Sequence, residues 1–230
     1  IAISPAAKDN LMEMGVPEGK ITVFMNGVEP LKRISGEEIE KARDKYGIRP
    51  GEKVAGMVGR LETFKGHEYF IRAAKLCRDR GVKIKFMIVG NGWIENKLRQ
   101  MARDEGVGDE VIFTGFMMDV TPVVNIFDVL VNASYGTEAS SLAMLEAMSL
   151  GKPVVATDYG GNPFQVKDGE TGIIIPKKDE SALADALIDL MSDDDKYNRF
   201  ASNTIEEYNK RFTAEVMCRN IESVYEKLTG

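Results

Sequence analysis

Residues 127–151 read Phe127-Asp128-Val129-Leu130-Val131-Asn132-Ala133-Ser134-Tyr135-Gly136-Thr137-Glu138-Ala139-Ser140-Ser141-Leu142-Ala143-Met144-Leu145-Glu146-Ala147-Met148-Ser149-Leu150-Gly151. The first seven form an apolar run with the length of a buried strand. A loop of small residues follows and carries one acid, Glu138. From Ser141 the pattern is helical and almost wholly apolar, as in a helix buried on all sides. Glu146 is the only charge inside it, and a buried carboxylate needs partners. A plain structural bond from Glu146 to a neighbouring amide or Arg satisfies that need as well as a ligand does. A strand, a small-residue loop and a helix start together make an anion site, because the first amides of a helix have no internal acceptor. Amides near Ser141 and Leu142 are expected to face phosphate, and Glu146, leaning back toward the helix start, to reach the same ligand.

The surrounding chain repeats this unit. Continuous apolar strands are expected at Val54–Val58, Ile84–Val89, Val111–Phe113, Val129–Val131, Val154–Thr157 and Ile173–Ile175. Helical stretches separate most of them, at His67–Arg80, Trp93–Glu105, Val120–Ile126 and Ser141–Leu150. Such alternation predicts an α/β fold, a doubly wound parallel sheet of Rossmann-like type covered on both faces. Ligands of such sheets bind beyond the carboxyl ends of the strands. Ahead of the repeat come a strand end at Ile1–Ser4, a helix opened by Ser4-Pro5, a strand at Ile21–Met25, and a charged helix from Gly36 to Tyr46 capped by Ser35. Behind it come helices at Ser181–Met191, Asp193–Lys210 and Thr213–Leu228. The last has an apolar stripe of Met217, Ile221, Val224, Tyr225 and Leu228.

The totals exclude several function classes. The 230 residues have 43% hydrophobic and 29% charged content, ordinary for a globular chain with a full core. A net charge of −6 with no basic stripe argues against a nucleic-acid partner. Cys77 and Cys218 lack metal or CxxC spacing and read as reduced core residues of a cytoplasmic protein. No apolar run approaches a membrane span, and no signal peptide is evident. The chain begins at Ile1 rather than Met, so it is expected to be a piece of something longer.

Two further loops leave strands. In Val58-Gly59-Arg60-Leu61-Glu62-Thr63-Phe64-Lys65-Gly66, two cations flank a loop whose glycines allow close approach, which suits a diphosphate. Two solvated surface cations are the plain reading. In Val89-Gly90-Asn91-Gly92 the glycines admit a base or ribose, or merely make a tight turn. Glu95 occupies the position of a third glycine, so nicotinamide binding is disfavoured. Ala156-Thr157-Asp158-Tyr159-Gly160-Gly161 can close the side near Glu138. His67, the one histidine, reads as structural or a bystander, and no Ser/His/Asp or Cys/His set exists. Asp193-Asp194-Asp195 reads as a solvated helix start rather than a metal site.

Taken in order, Asn26-Gly27-Val28-Glu29, Val58-Gly59-Arg60 with Lys65-Gly66, Val89-Gly90-Asn91-Gly92, Phe113-Thr114-Gly115, Glu138 with Glu146, and Gly151-Lys152-Pro153-Val154-Val155-Ala156-Thr157-Asp158 resemble the carboxy-terminal, donor-binding domain of family 4 retaining glycosyltransferases with the GT-B fold. The resemblance runs from about Ser4 to Leu228. It implies a nucleotide-diphospho-sugar donor, such as a UDP-, GDP- or ADP-sugar, with no metal and no other cofactor. It makes Arg60 and Lys65 the diphosphate ligands, and Glu138 the contact to the donor sugar. Gly59, Ser141, Leu142 and Glu146 belong to the donor site, Glu146 at the ribose. Gly90, Asn91, Gly92 and Phe116 are placed near the base. After Gly160-Gly161 the family often shows Pro-Glu, and here Pro163 is followed by Phe164.

On this resemblance residues 1–34 are the remnant of an acceptor domain and its linker, 35–212 the nucleotide-sugar domain, and 213–230 a helix crossing back to the missing half. The chain alone is expected to bind nucleotide or nucleotide-sugar weakly, if at all, and to transfer nothing. The bared stripe of the last helix either folds onto its own domain or drives self-association. Any membrane-surface contact would belong to the missing half. A nucleotide-sugar epimerase-like half domain and a non-catalytic nucleotide-binding regulatory module are the alternatives.

Overall fold

The computed structural model describes residues 1–229. Six strands, β1 (Lys53–Val58), β2 (Ile84–Val89), β3 (Val111–Gly115), β4 (Val129–Asn132), β5 (Val154–Thr157) and β6 (Gly172–Ile175), form one sheet in the order β3-β2-β1-β4-β5-β6. Every pairing is parallel. The doubly wound α/β fold is therefore as the alternation of strands and helices implied.

Alternation along β1 feeds two cores. Ala55 and Met57 face one, with α3 (His67–Asp79), α4 (Glu95–Asp104) and α8 (Glu180–Ser192). Val54 faces the other, with α5 (Thr121–Ile126) and α6 (Leu142–Ser149). Gly56 shares that second face by alternation, and a Cβ there would stand 2.2 Å from the Phe127 ring. The buried ring occupies the volume a side chain would need. The α9 helix (Asp194–Arg211) joins the two faces, with Phe200 in the first core and Tyr208 in the second.

The ends depart from the sequence reading. Ile1–Ser4 and Ile21–Met25 form no strand, only an isolated parallel bridge between Ala2 and Val23. Two short edges with no third neighbour do not sustain a sheet. The α1 helix (Pro5–Glu13), capped by Ser4, buries no residue, and Met14 just beyond it is 80% exposed. At the other end α10 (Ala214–Thr229) folds back beside residues 27–28. The Val28 amide donates to the Phe212 carbonyl at 2.9 Å, the Ala214 amide to Val28 at 3.1 Å, and the Gly27 amide to the Met217 sulfur at 3.2 Å. Met217, Ile221 and Val224 are half-buried, while Tyr225 and Leu228 stay exposed. Cys77 is in the core, but Cys218 is exposed because it falls one position off the inward stripe of α10. No described helix is long and apolar enough to cross a membrane.

Candidate functional site

The chain leaves β1 toward β2 on one side and leaves β4 toward β5 on the other, so β1 and β4 are neighbours whose connections diverge. The carboxyl ends of two such strands open a crevice. A cavity of about 410 Å³ lies there, between Gly59, Arg60 and Lys65 after β1, Asn132 at the end of β4 with Ser134 and Glu138 beyond it, and the start of α6. A larger hollow of about 540 Å³ sits at the opposite end of the sheet, between residues 49–52 and 81–85, and holds none of these groups.

The two loops are held together by backbone contact. Residues 63–65 make one tight turn, and Gly66 follows at φ 80°, a conformation natural to glycine. A Cβ on Gly66 would lie 2.1 Å from the Ala133 carbonyl oxygen. The Tyr135 amide donates to the Phe64 carbonyl at 2.9 Å. This clasp brings Lys65 Nζ to 2.8 Å from Glu138 Oε2. Asn132 Nδ2 at 3.3 Å and Ser134 Oγ at 3.2 Å also donate to that oxygen. On the far side, Gly160 and Gly161 let the chain pass against the backbone of Glu138 and Ala139, and the Gly161 amide donates to the Glu138 carbonyl at 2.8 Å. Arg60 lines the same cavity with its side chain 76% exposed and its guanidinium 3.1 Å from Glu62.

The helix start differs in detail from the expected one. The Ser141 amide is not open to a ligand, since it donates to Gln165 Oε1 at 2.9 Å. Ser141 Oγ accepts weakly from Met144 at 3.4 Å. The amides of Leu142 and Ala143, one and two residues into α6, are the first-turn donors left without a helical acceptor. Nor is α6 buried all round. Leu142 is exposed and Glu146, one turn on, is half-buried, so they share an open edge. The Glu146 side chain makes no hydrogen bond or ion pair with the described residues, and burial alone raises its pKa. The structural partner that a buried carboxylate would require is thus not there.

The second glycine turn packs against the first loop. A Cβ on Gly90 would lie 2.0 Å from the Gly59 carbonyl oxygen, and one on Gly92 2.3 Å from that of Leu61. The Leu61 amide donates to the Asn91 carbonyl at 2.9 Å. Gly90, Asn91 and Gly92 brace the Arg60 loop rather than opening into the cavity. Phe116 stands 66% exposed beyond β3 and does not line the cavity either.

Three site-building residues escaped the sequence reading. Asn132 and Ser134 hold Glu138, and the fully buried Gln165 ties Ser141 down, its Nε2 donating to the Ser141 carbonyl at 3.2 Å. A polar Asn closing an apolar strand was the available signal for the first. Gln165 had none, since it reaches the site from a four-residue helix after Gly161, where Phe164 replaces the expected acid.

A six-stranded parallel sheet in this order, with a charged cavity where its winding reverses, is the Rossmann-like half domain of the GT-B glycosyltransferases. The chain belongs to the family of glycosyl transferases group 1, whose pattern it matches over residues 38–207. It is 30% identical over its whole length to D-inositol 3-phosphate glycosyltransferase of Paenarthrobacter aurescens (strain TC1), spanning 58% of that protein. Over 90% of its length it is 30% identical to the lipopolysaccharide core biosynthesis mannosyltransferase LpsB of Rhizobium meliloti (strain 1021), spanning 61% of it. The crystal structure of Anabaena Alr3699/HepE in complex with UDP superposes with a TM-score of 0.90 at 25% identity, covering 98% of this chain and 63% of that one. The C-terminal domain of a glycosyl transferase group 1 protein (LpcC) from Francisella tularensis superposes with a TM-score of 0.70 at 26% identity, covering 80% of this chain and 96% of that domain.

Proposed function

We propose that this chain is the donor-binding half of a retaining glycosyltransferase that moves a sugar from a nucleotide-diphospho-sugar to an acceptor hydroxyl. The observation that carries the reading is the convergence of Arg60, Lys65, Glu138 and the open amides of α6 on one cavity at the switch point. In the reaction the acceptor oxygen bonds to the anomeric carbon as the carbon–diphosphate oxygen bond breaks. The bond's electron pair goes to the diphosphate, which also takes the hydroxyl proton. Negative charge therefore develops where Arg60, Lys65 and the Leu142 and Ala143 amides stand ready, and fixed donors stabilise such charge without reorganising. Lys65 has three donors and so can keep Glu138 while gripping a phosphate oxygen. Glu138 is then placed at the donor sugar. Glu146, unpartnered on the open edge of α6, is placed to accept the ribose hydroxyls.

Residues 35–212 are read as the nucleotide-sugar domain. The acceptor half lies outside this chain, and α10 is the element that crosses to it. UDP is the first ligand to test, because the Anabaena neighbour was solved with it. Calorimetry with UDP, GDP and ADP should find one that binds, and Lys65→Ala and Glu146→Ala should each weaken it about tenfold, the loss of one charge-assisted bond. Equal binding by the two variants and the unaltered chain would point instead to a regulatory module. Sugar transfer by the 230 residues alone would refute the assignment of the acceptor site to another domain.

A further inference from the structure

His67 lines the same cavity and is 1% exposed. It opens α3 directly behind Gly66, so the clasp that fixes Lys65 also fixes the imidazole. Neither ring nitrogen has a hydrogen-bond partner. The Glu62 backbone favours the charged ring, less than burial and Lys65 oppose it, but neither nitrogen meets hydrogen-bond geometry with it. A buried polar group without a partner is uncommon, and one in the wall of a binding cavity calls for an occupant.

Resting on the reading of this cavity as a donor site, we propose that His67 is a further donor-binding residue whose neutral imidazole gives one N–H to an oxygen of the donor's diphosphate. A diphosphate offers only acceptors, and a neutral imidazole carries one donor. Burial and the neighbouring Lys65 both hold the ring neutral. The charge at the site then stays with Arg60 and Lys65, while His67 adds direction.

The test uses UDP, GDP and ADP titrated into the unaltered chain and into His67→Phe and His67→Gln, with a thermal melt of each. His67→Phe removes a buried unpaired polar ring without opening a cavity, so its Tm is expected to be no lower than that of the unaltered chain. Its affinity for the nucleoside diphosphate that binds is expected to fall about tenfold, the worth of one hydrogen bond to a charged group. His67→Gln keeps an N–H donor and should stay within about threefold, a shift small against the tenfold loss. A structural histidine would give the reverse pattern, a lower Tm with unchanged affinity in the folded protein. Unchanged affinity in His67→Phe, or equal losses in both variants, overturns the inference while leaving the cavity's assignment standing. Failure of all three nucleotides to bind the unaltered chain overturns both.

Discussion

The ammonium of Lys65 sits 2.8 Å from Oε2 of Glu138, a residue 73 positions later in the chain. Neither loop alone predicts the pair. The glycine at 66 and the carbonyl of Ala133 bring them together. The carboxylate is almost wholly enclosed, so the pair behaves as a buried one whose members are poorly removed singly.

Lys65→Met is expected to cost about 1–3 kcal/mol in urea unfolding, because Glu138 keeps only Asn132 and Ser134 as donors. The double variant Lys65→Met/Glu138→Gln should recover part of that loss, since no unpaired charge remains. Strict additivity of the two single effects would show that the pair is not coupled.

Gly66→Ala should be far more damaging than its size suggests. It sets a Cβ 2.1 Å from a backbone oxygen at a φ of 80°. Relief requires the Lys65 loop to move off β4, so stability is expected to fall by about 3 kcal/mol or more, as overpacking and a strained φ add. Nucleotide affinity should fall with it. A melt and a titration matching the unaltered chain would mean the clasp is not what positions Lys65.

Glu146→Leu should separate stability from binding. The carboxylate is half-buried and unpartnered, and burial raises its pKa. Replacing it removes a desolvated charge, so Tm at pH 7 should rise while nucleotide affinity drops about tenfold, one charge-assisted bond's worth. A fall in Tm would show that the acid has a structural partner after all.

The acid limb of stability should carry the signature of His67. Burial first, and Lys65 second, push its pKa from 6.5 down to about 4. Between those values the unfolded chain holds a proton that the folded one does not, so stability falls as pH drops from 6.5 toward 4. The full effect is up to about 3 kcal/mol for one buried group. The Lys65–Glu138 pair beside it is kept in His67→Phe, so the difference between the two melting curves isolates the ring. Parallel curves for the two proteins over pH 4.5–7 would contradict this account of the imidazole.

The order of strands and helices and their two-sided burial were legible in the sequence, because both depend on local periodicity. The apolar runs at β1 and β5, the Ser35 cap of α2 (Gly36–Lys45) and the glycines after the strands all announce themselves within a few residues. So did the residue types of the site, since cations, acids and a helix start beyond strand ends narrow the chemistry to an anionic ligand. Only the tertiary structure decided which of them meet. It packed Gly90 and Gly92 against the Arg60 loop, and withdrew the Ser141 amide by giving it Gln165. It also opened one edge of α6 around Glu146 and left His67 enclosed without a partner. Those outcomes depend on contacts between loops far apart in sequence, and steric exclusion between such loops leaves no periodic trace along the chain.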